Sequence, residues 1–254
     1  MSTRLYLQLS REWQAFWLAL GFLSRIPMLA SINYSQRLMN QSSVYFPVIG
    51  LLLGGLYVGL YHTLTMLWPP TVVIIVVLCF HLWLTGAFHE DGLADSVDAL
   101  GGANTVERRL TIMKDSRIGT YGSVALIGAL ALKAALLLSL ELVWLGLLVG
   151  PCMARLTPLI LMRYQRYITA QDTSKTKPVA DSFSTQRLIV ASLFVLVVSL
   201  ITHTLVGTLI AVILVSVIWG ATLQRTLGGY TGDTLGASVI FTELLFLLAL
   251  AANV

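Results

Sequence analysis

Asp91, Asp95 and Asp98 stand at i, i+4 and i+7 in a polar, glycine-punctuated stretch, 86–122, flanked on both sides by nearly continuous apolar sequence. On a helix of about 3.6 residues per turn the three fall within roughly 60° of one face. Three carboxylates then share one small space. Like charges that close raise one another's pKa unless a cation neutralises them, and a hard, oxygen-liganded ion such as Mg²⁺ suits them. Gly101-Gly102 should end that helix, and Asn104 as N-cap with Glu107 three residues on should open a second helix to about Arg117. The second helix carries Arg108, Arg109, Lys114, Asp115 and Arg117. Carboxylates that hold a metal, beside guanidinium and ammonium groups that hold phosphate oxygens, fit a metal-bridged phosphate ester. A solvated acidic helix face is the bland alternative. It sits poorly here because the cluster abuts an apolar span, where unpaired carboxylates are costly.

The elements that must position these groups are membrane helices. Hydrophobic residues make up 57% of the 254 and charged residues only 11%, against about a quarter in soluble domains. The mean hydropathy is +0.83. The expected fold is all-α: a polytopic helical bundle forming a single domain over 1–254, with no linker, low-complexity tract or clear internal repeat. Apolar runs at 44–67, 71–88, 121–139, 143–162, 188–201 and 205–223, with a last helix to about 251, give about seven transmembrane helices. Residues 1–13 read as a cytoplasmic lead-in, and 14–28, interrupted by Arg25 and Pro27, as an interfacial or re-entrant segment.

Of sixteen Lys and Arg residues only Lys133 and Arg155 fall within these spans, and none falls at the hairpin tips 68–71, 140–142 or 202–204. By the positive-inside rule the three polar stretches, at 86–122, 163–187 and 225–237, are cytoplasmic, with the N-terminus inside and the C-terminus outside. One active site could be assembled from them on that face. The basic residues are interleaved with acids, which excludes a nucleic-acid footprint. No removable signal peptide is visible. Small-xxx-small patterns at Gly50, Gly54, Gly55 and Gly59, and at Gly146 and Gly150, permit close helix packing, within the chain or with a second copy as a homo-oligomer.

Single residues add to the cluster. His89, beside the acidic face, reads as a ligand, a base or an interfacial histidine. His62, His81 and His203 have no partners in sequence and read as packing or interfacial residues. Lys133 either snorkels or pairs with a carboxylate, Glu243 has no nameable partner, and Arg155 lies near enough to the cytoplasmic end to reach a phosphate. Asp233, in a Gly-rich turn, reads first as a turn residue. A transporter would spread charge through the bilayer and repeat its broken helices, and neither pattern is visible.

The run FHEDGLADSVDALGG at 88–102, followed by RRLTIMKDSRIGTYG at 108–122, resembles the signature of the cobalamin synthase family, the adenosylcobinamide-GDP ribazoletransferases. FLSRIP at 22–27, FPVIGLLLG at 46–54 and TLGGYTGDTLGA at 226–237 agree with it in the same order. The resemblance implies a Mg²⁺-dependent enzyme of the bacterial cytoplasmic membrane with its site on the cytoplasmic face. Its substrates would be adenosylcobinamide-GDP and α-ribazole or α-ribazole 5′-phosphate. A ribose hydroxyl would attack the phosphorus on the cobinamide side of the pyrophosphate, releasing GMP. Asp91, Asp95 and Asp98 match the acidic motif as Mg²⁺ ligands, and one of them, or Asp115, would take the hydroxyl proton. Lys114 and Arg117 match the basic motif and would hold phosphate oxygens, while Gly119 and Gly122 would let backbone approach the ligand. Asp233 becomes a second metal or substrate contact, and His89, Arg108 and Arg155 join the substrate-binding candidates. Glu90 departs from the pattern, an acid where the family implies an apolar residue, and reads as a surface group.

Overall fold

The computed structural model describes residues 3–168 and 183–252, so 169–182 of the predicted second polar loop lie outside the described residues. The first helix, α1 (Thr3–Leu23), joins the expected lead-in to the first half of 14–28 in one element. It is absent from the helices apolar enough to cross a membrane, and it buries Ala15, Ala19 and Leu23 while leaving Trp13 exposed, as an interfacial helix does. After an extended passage, α2 (Gln36–Ser42) is capped by the Ser35 side chain, and a 3₁₀ turn, Ser43–Tyr45, runs it into α3 (Phe46–Leu64).

The chain returns as α4 (Pro70–Thr85), opened by a proline whose missing N–H is harmless at a first turn. Gly86 at φ 69° and Ala87 at φ 56° then place two left-handed residues in succession, and α5 (Phe88–Gly102) leaves at 86° to α4. A short α6 (Val106–Ile112) precedes α7 (Thr120–Ser139). The next apolar run breaks at Arg155 into α8 (Val143–Ala154) and α9 (Leu156–Tyr164). Last come α10 (Thr185–Ile201), α11 (Leu205–Thr226) and α12 (Gly232–Ala251).

Every expected apolar run is helical. Among the described residues five helical runs are long and apolar enough to span, with α2–α3 and α8–α9 each taken as one, six if the bent α4–α5 pair counts as one, and the 17-residue α10 falls short by length. The bundle packs around α12, whose Phe246 and Leu247 are fully buried. The glycine stripe of α3 is used within the chain: a Cβ on Gly54 would lie 2.5 Å from the Leu148 carbonyl oxygen, and one on Gly50 would overlap that of Pro151. Helices α3 and α8 therefore touch backbone to backbone, whereas Gly55 and Gly59 face open space.

Candidate active site

Helix α5 lies across the N-terminal ends of α7 and α12. A Cβ on Gly92 would sit 2.6 Å from the Asp233 carbonyl oxygen, so only glycine lets α5 cross the first turn of α12 at this distance. Farther along, Asp98 reaches the start of α7: its Oδ2 accepts from the Gly119 N–H at 2.7 Å and its Oδ1 from the Gly122 N–H at 2.8 Å. A side chain on either glycine would overlap the Asp98 carboxylate. Gly119 and Gly122 thus permit a close approach, as their type suggests, and the group that approaches is Asp98.

The three aspartates of α5 are graded in exposure: Asp91 exposed, Asp95 half-buried, Asp98 buried. Burial, and then the Asp91, Asp233 and Asp98 carboxylates, push Asp95 up to about 7. Asp95 is half-buried in the polar stretch and faces water as well as protein. Among the described residues no cationic side chain is among the groups acting on it. The donor set, oxygens of mutually repelling carboxylates, fits a hard divalent ion. The side chains are not gathered for one: among the described residues no three His, Cys, Asp or Glu are placed to hold a metal ion.

The basic motif takes a different local form from the one expected. Thr105, not Asn104, caps α6 by accepting from the Arg108 N–H at 3.3 Å, and the helix ends at Ile112 rather than near Arg117. Lys114, Asp115 and Arg117 fall in the following turn, where the Asp115 Oδ1 takes the Arg117 backbone N–H at 3.1 Å and Nε at 3.0 Å, and Oδ2 takes Nη2 at 2.7 Å. The helix has already tightened by then, with the Lys114 N–H going to the Thr111 carbonyl at 3.2 Å and the Asp115 N–H to that of Ile112 at 3.0 Å, and the Asp115 side chain takes the donors that follow. The Arg117 hydrogen bonds hold Asp115 well below the usual carboxylate range, at about 2. Asp115 is also absent from the charges acting on Asp95. Arg108, Lys114 and Arg117 are exposed.

The polar stretches do meet on one side of the bundle. Arg109, a residue without a predicted role, donates from Nε to the Ala103 carbonyl at 2.9 Å and from Nη1 to that of Thr226 at 2.6 Å, clamping the basic loop to the end of α11. The Tyr230 N–H donates to the Arg166 carbonyl at 2.9 Å, and Ile168 N–H to Tyr230 at 2.8 Å, which ties in the described part of the second loop. Asp233 lies in the first turn of α12, beyond a Thr231 cap that accepts from the Thr234 N–H at 3.3 Å.

Two expectations on buried groups are corrected. Glu90 is not a surface group: it is 3% exposed, with Oε1 3.0 Å from the His81 Nε2. His81 in turn is not partnerless, since its Nδ1 lies 2.9 Å from the Tyr57 hydroxyl. The His81–Glu90 pair closes across the sharp α4–α5 bend and the His81–Tyr57 pair joins α4 to α3, contacts that no sequence spacing reveals. Lys133 pairs with a carboxylate, donating to Glu243 Oε2 at 2.8 Å. His89 and Arg155 line one small cavity beside the start of α12.

Comparison with known proteins matches this architecture to one family. The sequence model described as Cobalamin-5-phosphate synthase covers residues 15–251. A protein of Vibrio cholerae serotype O1 (strain ATCC 39541 / Classical Ogawa 395 / O395), named adenosylcobinamide-GDP ribazoletransferase, is 43% identical over 249 residues, 95% of this chain and 94% of its own. Proteins of the same name from Vibrio parahaemolyticus serotype O3:K6 (strain RIMD 2210633) and Shewanella woodyi (strain ATCC 51908 / MS32) are 39% and 40% identical. They cover 95% and 93% of this chain, and 93% and 95% of their own lengths. No solved structure matches significantly. With both ends of the family pattern and its intervening blocks present, the chain belongs to the cobalamin-5-phosphate synthase family, transferases of cobalamin biosynthesis.

Proposed function

We propose that the chain transfers the cobinamide phosphate group of adenosylcobinamide-GDP to a hydroxyl of α-ribazole or α-ribazole 5′-phosphate, releasing GMP, at the cytoplasmic face of the bacterial inner membrane. The observation that carries this reading is the α5 carboxylate group, Asp91 and Asp95 with Asp233 brought in from α12, on which no cation among the described residues acts at Asp95. In this reading those three would hold Mg²⁺, which supplies charge neutralisation on the pyrophosphate. Asp98, with both oxygens taken by backbone N–H groups, fixes α5 against α7 and keeps the group aligned.

The chain's own residues then have separate tasks. One of the site carboxylates, at an oxygen the ion leaves free, accepts the proton of the attacking ribose hydroxyl. The hydroxyl oxygen bonds to the phosphorus on the cobinamide side, the bond to the bridging oxygen breaks, and GMP departs with that oxygen and its electron pair. Lys114, Arg108 and Arg117, exposed on the neighbouring loop, hold non-bridging phosphate oxygens. Asp115, held strongly acidic by Arg117, orients that arginine and is a poor base.

The test is GMP formation by the purified protein in detergent or lipid. GMP should appear from adenosylcobinamide-GDP only when α-ribazole or its 5′-phosphate is present. Release without an acceptor would mark hydrolysis, and no release at all from a folded protein would reject the transferase assignment to these substrates.

A further inference from the structure

Arg155 is the cation that the account above leaves without work. It sits at the break between α8 and α9, and it is 1% exposed. Its Nη1 donates to the Pro151 carbonyl at 2.7 Å, while Nε and Nη2 are buried and have no hydrogen-bond partner among the described residues. A guanidinium kept charged with two donor groups unpaired is costly in an apolar interior, which points to a missing acceptor. The acids whose charge reaches it are Glu90 and Glu243, and each already has its own partner, His81 and Lys133. Glu90 keeps one oxygen, Oε2, unpartnered.

The guanidinium lines a small cavity with Phe22, Phe46, Phe88, His89 and Gly232. About 30 Å³ is free there for the centres of water-sized groups, enough for about two waters or the oxygens of one phosphate group. Gly232 is the first residue of the 20-residue α12, so the cavity also meets the positive end of a helix. The place adjoins the reaction centre in the chain: Gly232 precedes Asp233, and His89 stands two residues before Asp91.

We propose that this cavity is a buried anion subsite that takes one phosphate group of a substrate, gripped by Arg155 Nε and Nη2 at the N-terminus of α12. The proposal rests on the ribazoletransferase reading for its ligands. The phosphate is either the 5′-phosphate of α-ribazole 5′-phosphate or part of the pyrophosphate of the activated corrinoid. Both present the same tetrahedral oxygens, which a guanidinium fork binds in bidentate fashion.

Steady-state kinetics with the two acceptors separates the sources. Arg155→Met should raise KM for the phosphate-bearing substrate about tenfold or more with little change in kcat, and Arg155→Lys should recover part of it. If the acceptor phosphate is bound, the effect appears with α-ribazole 5′-phosphate and not with α-ribazole. If the donor pyrophosphate is bound, KM for adenosylcobinamide-GDP rises with either acceptor. Unchanged KM values for all substrates in a well-folded Arg155→Met would overturn the proposal. So would a fall in kcat and melting temperature confined to Arg155→Met, the signature of a water-bridged structural pair with Glu90 Oε2. Inorganic pyrophosphate provides a readout independent of turnover: it should raise the melting temperature of the wild type and not of Arg155→Met. If wild type turns nothing over, the transferase reading fails while this arm still judges the subsite, and an absent wild-type shift rejects it.

Discussion

Asp95 and Asp98 sit three residues apart on one helix and differ in what surrounds them. Asp98 spends both oxygens on the Gly119 and Gly122 N–H groups, so Asp98→Asn sets an amide NH₂ against a backbone donor. That leaves one buried N–H unpaired and should cost about 1–3 kcal/mol, measurable as a lower unfolding midpoint in detergent. Asp95 has carboxylates for neighbours and no partner, and its pKa rises from 3.8 to about 7 on folding. The folded state therefore binds the Asp95 proton more tightly than the unfolded chain does. The resulting stabilisation is complete below pH 3.8 and lost as pH rises through about 7. In metal-free buffer the melting temperature should fall between about pH 4 and 7 and level off above, more steeply in wild type than in Asp95→Asn. A profile of equal slope in both proteins would show that the carboxylates do not crowd one another.

At the scale of elements, what could be read from the chain was what local chemistry decides. Gly101-Gly102 does end α5, and the i, i+4, i+7 spacing does line one helix with Asp91, Asp95 and Asp98. The second helix ends five residues before Arg117, in a tightened turn at Thr111–Asp115 after which Asp115 captures the Arg117 N–H, a choice between helix and turn that spacing does not settle. Ala87 carries no signal for a left-handed conformation, so the 86° bend that lays α5 across α7 and α12 was not legible. Without the bend neither the His81–Glu90 pair nor the approach of Asp233 to Gly92 could be foreseen. Lys133 and Glu243 lie 110 residues apart and meet only through the packing of α7 on α12. Lys133→Met should destabilise by about 3–5 kcal/mol by stranding Glu243, and Lys133→Met with Glu243→Leu should recover most of it. A double variant no better than the single one would show that the pair does more than neutralise itself.

For the whole molecule, the seven apolar runs and their charged connections were legible because bilayer thickness and backbone hydrogen bonding leave few alternatives. Which helix lies at the centre was not, since α12 differs little in composition from α11 and owes its burial to its neighbours. The charge distribution predicts that the loops at 103–118 and 226–231 face the cytoplasm. A cysteine at Ser116, in a variant lacking Cys79 and Cys152, should therefore react with an impermeant thiol reagent only in inside-out vesicles, and one at Glu141 only in right-side-out vesicles. Equal labelling from both sides would reject this orientation. The proposed transfer turns on whether the carboxylates of α5 and Asp233 of α12 close on a cation that makes it possible. It is tested most directly by GMP release as a function of Mg²⁺ concentration in wild type, Asp95→Asn, Asp233→Asn and Asp115→Asn, each checked for folding. The account predicts Mg²⁺-dependent release that Asp95→Asn and Asp233→Asn abolish and Asp115→Asn only weakens, whereas full activity in Asp95→Asn and Asp233→Asn, or release indifferent to Mg²⁺, would contradict it.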